Sequence, residues 1–268
     1  WKSVLDDALK KAKINLNDID LIAFSNAPGL GPCLHVGKNV ALELHKKLKK
    51  PVIAVNHCVS HLEIGKFLTK AKDPVLLYVS GANTQVIAFE AGKYRIFGET
   101  LDQGVGNFID AFARYTGLGF PGGPKIEALA KNGKYLELPY VVKGMDISVS
   151  GILTNLKQKF DNKNKIEDLS YSLQETVFAM LIEVSERAMA HCNKKELLLG
   201  GGVACNSRLK EMAEIMCKER GAKCFVPENQ YLLDNGAMIA VTGKKFYDKG
   251  IKSKIEIYPY QRTDQVEI

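Results

Sequence analysis

Leu77-Tyr78-Val79-Ser80-Gly81-Ala82-Asn83-Thr84-Gln85 runs an apolar strand into a turn of small, hydrogen-bonding residues and out into a second strand. Backbone N–H groups at such a turn can converge on a phosphate, with Ser80, Asn83 and Thr84 adding side-chain donors; a plain β-hairpin has the same pattern. Leu76 to Ser80, Thr84 to Phe89 and Tyr94 to Gly98 read as three strands, the last two reversing at Ala91-Gly92-Lys93. Farther along, Leu199-Gly200-Gly201-Gly202-Val203-Ala204-Cys205-Asn206 takes a buried strand, Glu196 to Leu199, into glycines and then opens a helix. Glycines admit a ligand close to the backbone, and a helix N-terminus favours negative charge. Asn206 suits recognition of a ribose or base, or an N-cap. The stretch lacks the G-x-x-x-x-G-K-[ST] form, which disfavours a Walker-type ATPase. Two phosphate-type turns on separate lobes suggest a nucleotide held in a cleft between them.

The flanking sequence alternates strands and helices, which predicts an α/β protein. Val4, Leu5, Ala8 and Ala12 share one face of an opening helix, and Ile19 to Phe24 and Pro51 to Val55 read as short buried strands. Between those strands lie the loop Ala27-Pro28-Gly29-Leu30-Gly31-Pro32 and a helix ending in Lys46-Lys47-Leu48-Lys49-Lys50. Val105, Phe108, Ile109, Phe112 and Ala113 form a helical stripe, and Phe120-Pro121-Gly122-Gly123-Pro124 opens another helix. A long helix is expected from about Leu169 to Ala190, then a helix, a strand over Lys223 to Val226, and a last helix from about Asp234.

The 268 residues are 46% hydrophobic and 25% charged, a composition that can bury a full core without metal or disulfide. No apolar stretch reaches the roughly 18 residues of a membrane helix, and Trp1-Lys2-Ser3-Val4 has no signal-peptide plan, so a membrane or secreted protein is not expected. The six cysteines lack C-x-x-C spacing and read as reduced thiols. A net charge of +7 suits a polyanionic partner or a solubilising lysine-rich surface.

Asn56-His57-Cys58-Val59-Ser60-His61 puts two imidazoles four apart, on one side of a helix, where both can reach one cation. Cys58 stands where the metalloprotease H-E-x-x-H motif has its glutamate. Further ligands must come from afar: Asp234 stands at a helix start, where a cap is the default role, and Tyr78 adjoins the phosphate turn. Asp110, with Arg114 four residues on, reads as a surface ion pair, or with Gly123 and Glu127 as the lining of a nucleoside pocket. No Ser-His-Asp order or reactive-cysteine signature favours covalent catalysis.

Taken together, Asn56-His57-x-x-x-His61, Tyr78 to Gln85, Gly98-Glu99-Thr100-Leu101-Asp102, Phe120 to Pro124, Gly201-Gly202-Val203-Ala204-x-Asn206 and Asp234-Asn235-Gly236-Ala237-Met238-Ile239-Ala240 resemble, in order, the tRNA N6-adenosine threonylcarbamoyltransferases. Asp146 to Gly151 and Tyr258 to Asp264 look like the archaeal branch, whose members are the catalytic subunit of the KEOPS complex. The resemblance implies an actin-like ATPase fold of the sugar kinase and heat-shock protein superfamily, with two lobes around a nucleotide cleft. It implies an incomplete N-terminal lobe, 1–147, bearing the histidines and phosphate turn, and a C-terminal lobe, 148–268, bearing the glycine turn and Asp234. It also implies one divalent metal ion, iron or zinc, on His57, His61, Tyr78 and Asp234. Tyr78, Val79, Ser80, Gly81, Ala82, Asp110, Gly123, Glu127 and Asn206 would hold threonylcarbamoyl-AMP, or ATP, in the cleft. The implied reaction passes the threonylcarbamoyl group to N6 of the adenosine 3′ of the anticodon in tRNAs reading codons that begin with A. The implied partners are tRNA and KEOPS subunits, including a small atypical protein kinase as a separate chain, in the cytoplasm. Ala82 replaces the second glycine usual in that phosphate turn. The rival readings are a non-catalytic ATP-binding scaffold and a metallopeptidase, the second weakened by the missing glutamate.

Overall fold

The computed structural model describes residues 1–266. The chain opens with α1 (Lys2–Ala12), β1 (Ile22–Ala27), α2 (Gly31–Leu48), β2 (Val52–Asn56) and α3 (His57–Thr69). Three strands follow, β3 (Val75–Val79), β4 (Thr84–Glu90) and β5 (Lys93–Glu99), then α4 (Val105–Tyr115) and α5 (Gly122–Ala130). A two-residue pair, β6 (Val142–Lys143) and β7 (Asp146–Ile147), leads into α6 (Ser150–Asp161) and the long α7 (Ile166–His191). The remainder is β8 (Glu196–Gly200), α8 (Ser207–Glu219), β9 (Lys223–Phe225), the single turn α9 (Asn229–Leu232) and α10 (Gly236–Asp248). Among the described residues no helix is long and apolar enough to cross a membrane.

The chain divides into two compact units, one of residues 1–64 with 235–268 and one of residues 65–234. In the first, β1 and β2 pair in parallel, Ile22 opposite Val52, and α2 and α10 pack on them. Ile22, Phe24, Ala41 and Ala54 form one buried cluster in it. The approach of α10 is close: a Cβ on Gly243 would stand 2.5 Å from Ala23 Cβ, so only glycine allows this contact. The amphipathic face expected of α1 is not buried among the described residues, and Val4 is 71% exposed.

The second unit is built on a mixed sheet of order β5-β4-β3-β8-β9. β3, β8 and β9 are mutually parallel, whereas β4 is antiparallel to both β3 and β5. Every residue of β3 is buried, as expected of a central strand covered on both faces. Val75, Leu77 and Val79 share a core with Leu197 and Leu199 of β8, the α4 stripe Val105, Phe108, Ile109 and Phe112, and α7 residues such as Leu173, Val177 and Leu181. The division expected at 147/148 passes through this unit, because β3 and β8, which lie on either side of it in sequence, are paired neighbours, Leu77 opposite Leu199. Compactness therefore follows strand pairing rather than the order of the motifs.

Asp102 explains the fixed course of the chain between β5 and α6. Its carboxylate accepts from the N–H groups of Gln103, Val149 and Ser150 and from the Ser148 hydroxyl, which holds the start of α6 to the end of β5.

Candidate metal centre and nucleoside pocket

β2 ends at Asn56 and α3 begins at the next residue. Asn56, 2% exposed, spends its side-chain carbonyl on the N–H groups of Cys58 and Val59 at 2.9 and 3.2 Å, which starts the helix without a connecting loop. His57 and His61 therefore stand one turn apart at the start of α3, their rings 5.0 Å apart and nearly perpendicular. His61 is buried and His57 half-buried. At α10 the cap is Asn235, whose side chain accepts from Met238 N–H at 2.9 Å. The cap role considered for Asp234 thus falls to its neighbour. Asp234, one peptide bond before that cap, has its carboxylate within 4.8 Å of donor nitrogens of both His57 and His61, which lie equally close to each other. Two imidazoles and a carboxylate form a donor set that suits ferrous iron or zinc. Tyr78 is 1% exposed in β3, opposite Gln85 and Gly200.

The second unit contains a cavity of about 500 Å³, within the range of small-molecule sites. Of the residues the sequence pointed to, Gly81, Asp110, Gly123, Glu127 and Asn206 line it. Val79, Ser80 and Ala82 are not lining residues; they shape the β3–β4 turn beneath Gly81. Ser80 N–H donates to Asn83 carbonyl at 2.8 Å, and Asn83 N–H returns a bond to the Ser80 hydroxyl at 3.1 Å. The Thr84 hydroxyl accepts from Val105 N–H at 3.0 Å, at the start of α4. Gly106 and Asn107 at the start of α4 donate to the carbonyls of Ser80 and Gly81 at 3.0 and 2.9 Å. A Cβ on Gly104 would lie 2.3 Å from the Gly81 carbonyl, so the turn and α4 touch backbone to backbone. Among the described residues no protein acceptor takes the N–H of Gly81 or Ala82.

The polar wall of the cavity is held by its own hydrogen bonds. Asp110 accepts from Gly122 N–H at 2.7 Å, joining α4 to α5, and is not paired with Arg114. Glu127 accepts from Ser207 N–H at 2.9 Å. Asn206 is the N-cap of α8, accepting from Arg208 and Leu209, and its amide donates to Gln174 at 2.6 Å. An ionised carboxyl has about four lone-pair positions, so Asp110 and Glu127 keep acceptor capacity for hydroxyls or an amine. Gly201 lets β8 turn into this wall: its φ is +88° and a Cβ there would stand 2.3 Å from Val79 carbonyl. The sequence reading missed Gly106, Asn107, Ile109, Phe120, Pro124, Gly202, Val203, Cys205 and Leu233, all of which line the cavity. The exposed, apolar Phe120 and Leu233 adjoin motifs already singled out, which is the signal that could have found them. Burial pushes the Cys205 thiol up, followed by smaller opposing effects of Lys210 and Glu127.

The fold is shared with solved structures of HypF. One, in a phosphate- and nucleotide-bound form, matches with a TM-score of 0.69 at 13% identity over 91% of this chain and 49% of that one. HypF of T. kodakarensis also gives 0.69, at 14% identity over 87% and 41%. Fold and site together define an α/β protein that shares its fold with HypF and carries a cavity of about 500 Å³ and a two-histidine, one-carboxylate cluster. The family model TsaD, described as tRNA N6-adenosine threonylcarbamoyltransferase, matches residues 2–241. A Thermococcus kodakarensis protein of that name is 56% identical over all of this chain and 83% of its own length. The chain belongs to this family, and it is a transferase of tRNA threonylcarbamoyladenosine synthesis. An Archaeoglobus fulgidus relative with the same name is 53% identical over 96% of this chain and 80% of its own. A Methanocaldococcus jannaschii protein named probable bifunctional tRNA threonylcarbamoyladenosine biosynthesis protein is 54% identical over 95% of this chain, which spans 48% of it.

Proposed function

We propose that the chain passes a threonylcarbamoyl group from threonylcarbamoyl-AMP to N6 of the adenosine 3′ of the anticodon in tRNAs reading codons that begin with A. The observation that carries this reading is the convergence of His57, His61 and Asp234 in a member of the transferase family. An exocyclic adenine amine is a weak nucleophile, so the donor is a mixed anhydride with AMP as the leaving group. The amine nitrogen bonds to the carbamoyl carbon, the bond from that carbon to the phosphate oxygen breaks, and the amine loses one proton.

The residues divide this work. Asp110, Gly123, Glu127 and Asn206 would hold the nucleoside part of the donor, the two carboxylates accepting from its hydroxyls or amine. Ser80, Gly81 and the backbone around Val79 and Ala82 would receive the phosphate, with the N–H of Gly81 and Ala82 as donors. His57, His61 and Asp234, with Tyr78 as a phenolic fourth ligand, would hold one divalent ion, iron by preference and zinc as the alternative. When bound, that ion would orient the donor and offset developing charge. Positioning rather than a protein nucleophile then accounts for catalysis. We further infer KEOPS-type subunits, including a small atypical protein kinase, as partners, and a cytoplasmic setting. The net charge of +7 favours the tRNA substrate. The metallopeptidase reading has no general base in the motif, since Cys58 follows His57.

The test is nucleoside mass spectrometry after incubation of the protein with threonylcarbamoyl-AMP and an unmodified tRNA of that class. The modified nucleoside is expected with the wild type, and its loss with His57→Ala or Asp234→Ala. Modification that survives both substitutions would remove the ion from the mechanism, and none with the wild type would favour the scaffold reading.

A further inference from the structure

The unit of residues 1–64 with 235–268 holds a cavity of its own, of about 310 Å³, at the small end of the range for small-molecule sites. Asn26 and Asn56 line it at the carboxyl ends of β1 and β2, and its other wall is the chain that follows α10. Open α/β sheets bind ligands outside the carboxyl ends of their parallel strands. That second wall is tied to the strands. The Ser253 hydroxyl accepts from Ala54 N–H at 2.7 Å, the Asn26 amide donates to the Glu256 carbonyl at 3.2 Å, and Tyr258 N–H donates to the Asn26 carbonyl at 2.8 Å. Ile255 and Ile257 pack against the buried cluster of Ile22, Phe24, Ala41 and Ala54.

The charges around the cavity have one sign. Lys252 and Lys254 line it, and among the described residues no carboxylate does. Neither ammonium has an ion-pair partner among the described residues. The Glu256 carboxylate, outside the lining, accepts the Tyr258 hydroxyl at 2.8 Å. Lysines that serve solubility are interspersed with acidic residues on open surface, which is not the arrangement here. Asn56 adds a second, independent sign of a ligand. It is 2% exposed and caps α3 with its carbonyl, while its Nδ2 is buried and has no acceptor. Buried donors are nearly always met, so an acceptor is expected there. Two ammonium point charges beside amide donors suit the oxygens of a phosphate, whereas a carboxylate ligand favours the planar fork of an arginine.

We propose that this cavity seats a backbone phosphodiester of the RNA substrate, held by Lys252 and Lys254 with Asn56 as a buried donor. The identity of the RNA rests on the transferase reading above; the anion site itself does not. Phosphate contacts fix the register of a nucleic acid without reading its sequence. His57 follows Asn56 directly in the chain, so a phosphate held here anchors the RNA in the unit that carries the candidate histidine ligands.

The experiment follows, by fluorescence anisotropy, the affinity of the full chain for an unmodified anticodon stem-loop RNA as salt is varied. The wild type is compared with Lys252→Gln/Lys254→Gln, with Lys252→Arg/Lys254→Arg, and with Lys10→Gln/Lys11→Gln, which removes two exposed charges of α1 in the same unit. Hydrogen exchange of β1 and β2 reports that this unit is folded in each. Lys252→Gln/Lys254→Gln should bind the stem-loop about tenfold more weakly, with the slope of log K against log salt reduced by about one. The arginine substitutions should restore binding, and the α1 variant should bind like the wild type. Stem-loops with single phosphodiesters neutralised as methylphosphonates should reveal one linkage whose loss weakens the wild type by about tenfold and Lys252→Gln/Lys254→Gln no further. Inorganic phosphate, titrated at constant ionic strength, separates the two sources of the group. If it needs Lys252 and Lys254 while the stem-loop does not, the cavity belongs to the free ion and the proposal is overturned. Equal losses in Lys252→Gln/Lys254→Gln and the α1 variant overturn it as well, since net charge alone then explains the effect. The transferase reading is judged apart from this, by whether the wild type forms the modified nucleoside.

Discussion

Asn206 shows how one side chain can serve the fold and the site at once. Its carbonyl caps α8 and its amide donates to the buried Gln174. Asn206→Ala should cost about 1 kcal/mol for the cap, and about 1–2 kcal/mol more for the acceptor left unmet at Gln174. Asn206→Asp keeps the cap, and Gln174 can turn its amide to donate, so less than half of that loss is expected. Urea denaturation of the two variants checks this; equal losses would show that the cap contributes little. The pairing of His57 with His61 was legible in the sequence because residues four apart share a helix face whatever surrounds them. Asp234 was legible only through the family motif, since a lone aspartate at a helix start reads first as a cap. The partners of Asp110 and Thr84 were not legible. Each depends on a loop bringing a backbone N–H, that of Gly122 or Val105, to a side chain far from it in sequence.

At the level of elements, periodicity located the strands and helices, and their ends moved by a few residues wherever a turn decided them. The first strand runs Ile22–Ala27 rather than Ile19 to Phe24, because a short 3-10 turn over Leu16–Asp18 delays its start. The link from β5 to α6 depends on Asp102, whose role no local pattern reveals. Burial alone would raise its pKa, but the Ser148 hydroxyl and the N–H groups of Ser150, Gln103 and Val149 outweigh that and hold the carboxyl well below the usual range. A depressed folded value means that the ionised form stabilises the fold. That contribution is complete above about pH 4, where the unfolded carboxyl is ionised, and is lost as pH falls through the folded value. Because the group is largely solvent-exposed, Asp102→Ala should cost only about 1 kcal/mol at pH 7, the scale of a helix cap. The stability difference between wild type and variant should hold constant from pH 8 to 5 and shrink below pH 4. A difference that instead widened on acidification would contradict this assignment.

For the whole molecule, the partition into units leads to the boldest expectation. Residues 65–234 are contiguous in sequence, contain every member of the large buried cluster around β3, β8, α4 and α7, and supply every residue lining the 500 Å³ cavity proposed to hold the nucleoside. The other unit joins two distant stretches, 1–64 and 235–268, around a small cluster on a two-stranded sheet. A core formed within one continuous segment does not depend on chain ends meeting, so the 65–234 segment should fold alone. Calorimetry should show a single cooperative transition for it, and titration should show AMP bound as tightly as by the full chain. It should bind no divalent metal with site affinity, because His57 and His61 lie outside it. An unfolded segment, or a folded one that fails to bind AMP, would mean that the nucleoside cavity depends on residues beyond its own lining, and nucleotide recognition would then have to be treated as a property of the whole chain.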